Sequence, residues 1–296
     1  MWTHYLRLFL GHTADAQTLV LLLFMGGMAI RAWLASRRNH QNPLQLYAIV
    51  EGLIGVIALL FHLVFTRVTN VAFMEIFPAA NGPLLIEALK WMIAALFVMP
   101  GSILLGATFS LMVTGLLRRY QLEAGRLVAS LYFVNSLGAA IGVLICGFWL
   151  IARCGLPGFM LIAGAINILL AIVVYVLSRR PITQPPASPG SAGEPSPDRL
   201  LVLVALMTGL ASFVYEIAWI RMLSLVLGSS THAFELMLSA FVLGLALGGY
   251  WVRHRIVRLT QPIVFLGKVQ LIMGVMALLS MLVYEQSFYW MQLRSP

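Results

Sequence analysis

Eight runs of predominantly apolar residues, each close to the length that crosses a bilayer, divide this chain of 296 residues. They fall at 14–35, 44–66, 84–112, 126–151, 157–178, 199–219, 231–252 and 262–284. A helix rises about 1.5 Å per residue and the hydrocarbon core is about 30 Å thick, so about 20 apolar residues make one crossing. Backbone N–H and C=O groups find no water in hydrocarbon, so runs of this length must pair them internally as helices. Hydrophobic residues make up 61% of the chain and charged ones 10%, against about a quarter charged in soluble domains. So much apolar surface excludes a soluble fold. The expected fold class is an all-α integral membrane protein with about eight transmembrane helices.

The formal charge of +9 is distributed in short clusters between the apolar runs. Arg37 and Arg38 follow the first run, Arg118, Arg119 and Arg126 the third, Arg179 and Arg180 the fifth, and Arg253, His254, Arg255 and Arg258 the seventh. The loop after the second run, with Arg67 and Glu75, is nearly neutral, and Arg153 marks a short turn after the fourth. This alternation is the positive-inside pattern of a polytopic protein and not a nucleic-acid footprint, so no nucleic-acid partner is expected. It predicts residence in the cell membrane with the basic loops cytoplasmic and both termini outside. The first fourteen residues lack a basic stretch leading into a short apolar core, so insertion through uncleaved helices is expected.

The apolar pattern is duplicated. Trp2, Leu6, Leu8, Leu10, Gly11, Ala16, Leu19, Leu21, Phe24, Gly27 and Ala29 each meet the same residue type 217 positions later. Pro43, Gly55, Val56, Ala58, Leu59 and Leu60 do so 219 positions later. Two copies in the same order and the same inferred orientation predict parallel repeats, a common plan in transporter folds. The expected organisation is a first membrane repeat over 1–180 with about five helices, lacking the repeat's first helix. A Pro/Ser/Gly-rich cytoplasmic linker over 181–198 and an incomplete second repeat over 199–296, with about three helices, follow.

Polar residues inside the apolar runs are the candidate functional residues, since an intramembrane charge is costly unless paired or hydrated. Glu216, next to Tyr215 and followed by Trp219 and Arg221, forms the densest polar cluster. Glu216 and Arg221 lie five apart, about 140° around a helix, so pairing them requires the helix to break. The cluster is either a polar site facing a cavity or an interfacial anchor, with Trp219 in the aromatic belt and Arg221 reaching to the headgroups. Glu51 lies in mid-run, and its repeat mate is Gln270; a hydrogen bond between helices would serve both. Glu87 and Lys90, three apart, are expected to form a local ion pair, and Pro100–Gly101 to kink the third helix.

Small residues suggest where helices pack. Gly138 and Gly142 on the fourth run, with Asn135 to hydrogen-bond across the contact, and Gly244 and Gly248 on the seventh, have the four-residue spacing of close helix pairs. Cys146 and Cys154 have no metal or CxxC spacing and are expected to be buried, inert thiols. No nucleotide-binding, phosphate-binding or zinc-protease motif is present, so no catalytic residue, cofactor or metal is assigned.

Two segments carry a family resemblance. YEIAWIRMLSLVLGSSTHAF followed by FVLGLALGGY (215–250), and LGATFS (105–110) followed by LYFVNSLGAAIGVLICGF (131–148), resemble the membrane region of polytopic spermidine-synthase-like proteins. That region is a major-facilitator-like membrane part, normally fused to a Rossmann-like aminopropyltransferase domain. Leu105 and Ser110 stand where the family tends to have Met and Pro. No residue of this chain corresponds to the synthase site, so the resemblance implies ancestry and fold and not synthase activity. Three functions are compatible with it: a non-enzymatic structural or accessory subunit partnered by another membrane protein or a second copy; a carrier for polyamines or other small cations; and the membrane half of a split synthase-like enzyme.

Overall fold

A computed structural model describes residues 2–10, 13–35, 41–80, 82–120, 123–179, 199–227 and 231–292, and among them every regular element is helical. The elements are α1 (Trp2–Leu10), α2 (Thr13–Ala35), α3 (Pro43–Val71), a π-helical turn (Ala72–Ile76), α4 (Phe77–Ala79), α5 (Pro83–Tyr120) and α6 (Ala124–Ile145). A second π-helical turn (Cys146–Leu150), α7 (Ile151–Ser178), α8 (Arg199–Leu227), α9 (Thr231–Arg255), a 3-10 turn (Ile256–Arg258) and α10 (Pro262–Gln292) complete them. Pro43, Pro83 and Pro262 each open a helix, where the missing N–H costs nothing and the fixed φ is already helical. Gly82, just before Pro83, holds a φ of 107° that only glycine takes up readily.

Six helical stretches are long and apolar enough to cross a membrane. The chain is a multi-pass helical membrane protein. Two of the expected runs, 126–151 and 157–178, lie on one helical stretch of 55 residues, Ala124–Ser178. At about 1.5 Å per residue it is more than twice as long as one crossing needs. It is broken at Gly155, whose φ of 64° and ψ of 179° are not helical. The first run folds as α2, of which Thr18–Arg31 is the apolar part. Pro100 lies inside α5, which continues through it. The segment 181–198, expected to be a linker, lies outside the described residues, as do Arg37, Arg38 and Arg180.

The chain divides into two compact units that interleave along the sequence: Met1–Leu122 with Leu150–Ala187, and Glu123–Trp149 with Ser188–Pro296. In the first unit, α1 carries Trp2, Tyr5, Leu6 and Phe9 at helical spacing. Tyr5, Leu6 and Phe9 are buried, and Trp2 packs against the same core. The Tyr5 ring meets Phe61 at 5.1 Å and Phe65 at 5.0 Å between centroids. Phe65 in turn meets Phe97 at 5.2 Å. The Tyr5 hydroxyl and His62 Nδ1 are 3.0 Å apart. The helices around this cluster approach through glycine. A Cβ on Gly55 would lie 2.9 Å from the Gly164 carbonyl oxygen, bringing the α3 and α7 backbones together. On the α2–α5 seam, a Cβ at Gly27 would fall 2.5 Å from Ser102 Cβ, and one at Gly106 2.6 Å from Met28 Cα. Small residues permit such contacts in lipid, where packing and not water exclusion holds helices together.

In the second unit α6 packs along α9. Ala140 and Ala246 are buried, Ser239 Oγ donates to the Ala140 carbonyl oxygen at 3.2 Å, and a Cβ at Gly249 would lie 3.1 Å from Tyr132 Cδ1. α8 meets α10 through a hydrogen bond from Gln270 Nε2 to Thr208 Oγ1 of 2.7 Å.

Candidate functional site

Three carboxylates within the apolar helices are buried, each in a different setting. Glu51, on α3 in the first unit, hydrogen-bonds the hydroxyl of Tyr47, one turn earlier on the same helix. Its expected counterpart Gln270 bonds to Thr208 on a different helix. The amide therefore ties two helices together, while the carboxylate is met within its own.

Glu216 is 5% exposed on α8, and no hydrogen bond or ion pair joins it to another described residue. α8 runs unbroken from Arg199 to Leu227, so Glu216 and the exposed Arg221 project about 140° apart on it. Tyr215 and Trp219, four apart, stack with centroids 6.2 Å apart and planes at 23°. Taking a carboxylate out of water is expensive unless it is paired or protonated.

Glu235, on α9, is the residue that sequence reasoning missed. Its Oε2 lies 2.2 Å from where a Cβ on Gly147 would stand, so the carboxylate fills the space that glycine leaves. Gly147 sits in the π-helical turn Cys146–Leu150, and the Cys146 thiol is within electrostatic reach of Glu235. Single π-turns within α-helices are frequent at functional sites. One turn along α9, Ser239 reaches α6 through Ala140, and on α6 itself Tyr132 hydrogen-bonds Ser136. The signal was available: a glutamate five residues into the run 231–252, with a serine four residues further on.

The structure brings Tyr215, Glu216 and Arg221 onto one helix of the second unit and places Glu51 in the first. Asn135 is exposed. A Cβ at Gly138, Gly142, Gly244 or Gly248 would meet nothing within 4 Å among the described residues. On this seam the close approaches fall at Gly147 and Gly249 instead. Gly244 and Gly248 line, with Tyr132 and Gly249, an apolar groove of about 660 Å³ between α6 and α9.

Two expectations are corrected. Glu87 and Lys90 do not form an ion pair: the Lys90 ammonium stands 5.9 Å from the centroid of the Phe77 ring. Both residues border a cavity of about 280 Å³ with Leu10, Leu19 and Trp91. Of the two free cysteines, Cys146 is half-buried but Cys154, just before the break at Gly155, is exposed. Among the described residues no cluster of His, Cys, Asp or Glu could hold a metal ion.

No family model matches the chain, and no curated protein and no solved structure is similar to it.

Proposed function

We propose that this chain is a non-enzymatic subunit of a membrane assembly, related to the membrane region of spermidine-synthase-like proteins and built from two parallel repeats. The observation that carries the subunit reading is α10. None of the residues in its apolar stretch Pro262–Leu282 is buried by the rest of the described chain. That uncovered face holds Lys268, an exposed ammonium six residues into the helix, and a charge in a spanning helix usually has a partner. A second copy or another membrane protein supplies it. The repeat reading is supported by helix ends. α1 stops at Leu10 and α8 at Leu227, 217 positions on, while α2 starts at Thr13 and α9 at Thr231, 218 positions on. Pro43 opens α3 as Pro262 opens α10. The major-facilitator-like count of eight crossings follows if α2 spans and if Gly155 separates two crossings.

A photo-cross-linking residue at Leu271, 71% exposed on α10, tests the subunit reading in native membranes. A discrete protein adduct, or a dimer of this chain, is the expected result. Adducts to lipid alone overturn it. Cysteines placed at Arg37 and Arg118 test the topology, and both are expected to react only from the cytoplasmic side.

Glu216 favours a second reading, a carrier for polyamines or other small cations, because a buried carboxylate on an apolar helix is a candidate cation ligand. Uptake of a polyamine into proteoliposomes, lost in Glu216→Gln, is its expected signature. Uptake equal to that of protein-free vesicles ends it.

A further inference from the structure

We infer that the groove between α6 and α9 is a binding site for an anionic phospholipid, with one acyl chain in the groove and the headgroup phosphate at its arginine-rich end. Three observations lead there. The first is shape. The groove is lined from Ala124 to Tyr132 on α6 and from Gly244 to Ile256 on α9 and the turn after it. At about 1.5 Å per residue these stretches span roughly 12–18 Å, about half the hydrocarbon thickness. That length suits a chain from one leaflet and is too short for a spanning helix. Its volume of about 660 Å³ is within the usual range of small-ligand sites.

The second is surface chemistry. Tyr132 is the only lining residue with a polar side chain. Gly244 and Gly248 lie on the wall with open space before them, so a flexible chain can lie against bare backbone there.

The third is charge at one end only. Gly125 approaches Ile256, with 3.2 Å from its virtual Cβ to Ile256 Cδ1, so the start of α6 meets the end of α9. Arg126 follows Gly125, and Arg253, His254, Arg255 and Arg258 flank Val252 and Ile256. Neither stretch holds an acidic residue, and Glu123 stands just before the first. Arg255 stands over the Trp251 ring at 4.7 Å, and the His254 ring contacts Tyr250. Arg253 is different: its Nε is buried and no acceptor among the described residues reaches it. A buried guanidinium N–H without an acceptor suits an anionic oxygen, and basic pockets between membrane helices are a known mode of anionic headgroup binding.

The test uses the full chain in neutral detergent, titrated with dioleoylphosphatidylglycerol or dioleoylphosphatidylcholine and read by native mass spectrometry. The wild type is expected to retain phosphatidylglycerol at least tenfold more tightly. The double variant Arg126→Gln, Arg253→Gln should lose that preference. Gly248→Leu, whose Cβ meets no described neighbour within 4 Å, places a side chain in the groove and should weaken phosphatidylglycerol binding at least tenfold. Should that variant fail to fold, photolabelling of the wild type decides: phosphatidylglycerol with a diazirine on its acyl chain should label peptides containing Tyr132 and Val252. Equal retention of the two lipids, or labelling that avoids both peptides, overturns the proposal. So does full displacement by millimolar inorganic phosphate, which would mean a phosphate site that needs no chain.

Discussion

The two units solve the problem of packing in lipid differently. The first is held by rings and bare backbone: Tyr5, Phe9, Phe61, Phe65 and Phe97 interlock, and Gly55 meets Gly164 carbonyl to carbonyl side. The second is tied by polar contacts, Ser239 to Ala140 and Gln270 to Thr208, and leaves α8 and α10 largely uncovered. The contrast teaches where stability and where function reside. Dense apolar packing fixes a shape, whereas buried polar groups and open faces are what a ligand or partner can use.

That contrast can be broken by measurement of unfolding in micelles. The largest effect is expected for Phe65→Ala, which empties the centre of the aromatic cluster and should cost about 3–5 kcal/mol. Leu278→Ala, 68% exposed on α10, should stay within about 0.5 kcal/mol of wild type. Equal costs at the two sites would erase the distinction between the units. Gly55→Ala comes next, at about 1–3 kcal/mol, because the added methyl overlaps the backbone of α7. Gly147→Ala should cost a similar amount and be relieved in part by Glu235→Ala, which removes the group it displaces. Thr208→Val should cost only about 0.6 kcal/mol, the usual value of a hydrogen bond between membrane helices. Smallest of all, Gly138→Ala should be neutral or stabilise by up to about 1 kcal/mol, since it gains helix propensity and meets no neighbour. A marked loss there would show that a partner covers that face.

These pairs also show what the sequence made legible. Long apolar runs gave the spanning helices because length and composition alone decide whether a segment can cross. The partner of each helix was not legible. A spacing of four puts Gly138 and Gly142 on one face of α6, yet it says nothing about what covers that face. Gly55 and Gly164 meet without belonging to any such motif. The buried face of α1 escaped notice because nine residues are too short to suggest a membrane element. Glu216 stood out because aromatic and basic residues surround it in sequence. Glu235 is buried just as deeply, but its setting is made by Gly147, far away in the chain.

The hydrogen bond from Ser239 to Ala140 joins residues 99 positions apart. At the usual synthesis rate of about 5–20 residues per second, α6 leaves the ribosome roughly 5–20 s before the helix it packs against. Throughout that interval the Gly147 notch has no carboxylate to occupy it, and the newly inserted segment must wait in the bilayer with lipid as its only neighbour on that side. The α6–α9 seam can therefore close only after α9 arrives, and a ribosome stalled within residues 181–198 would leave α6 as an unmatched half.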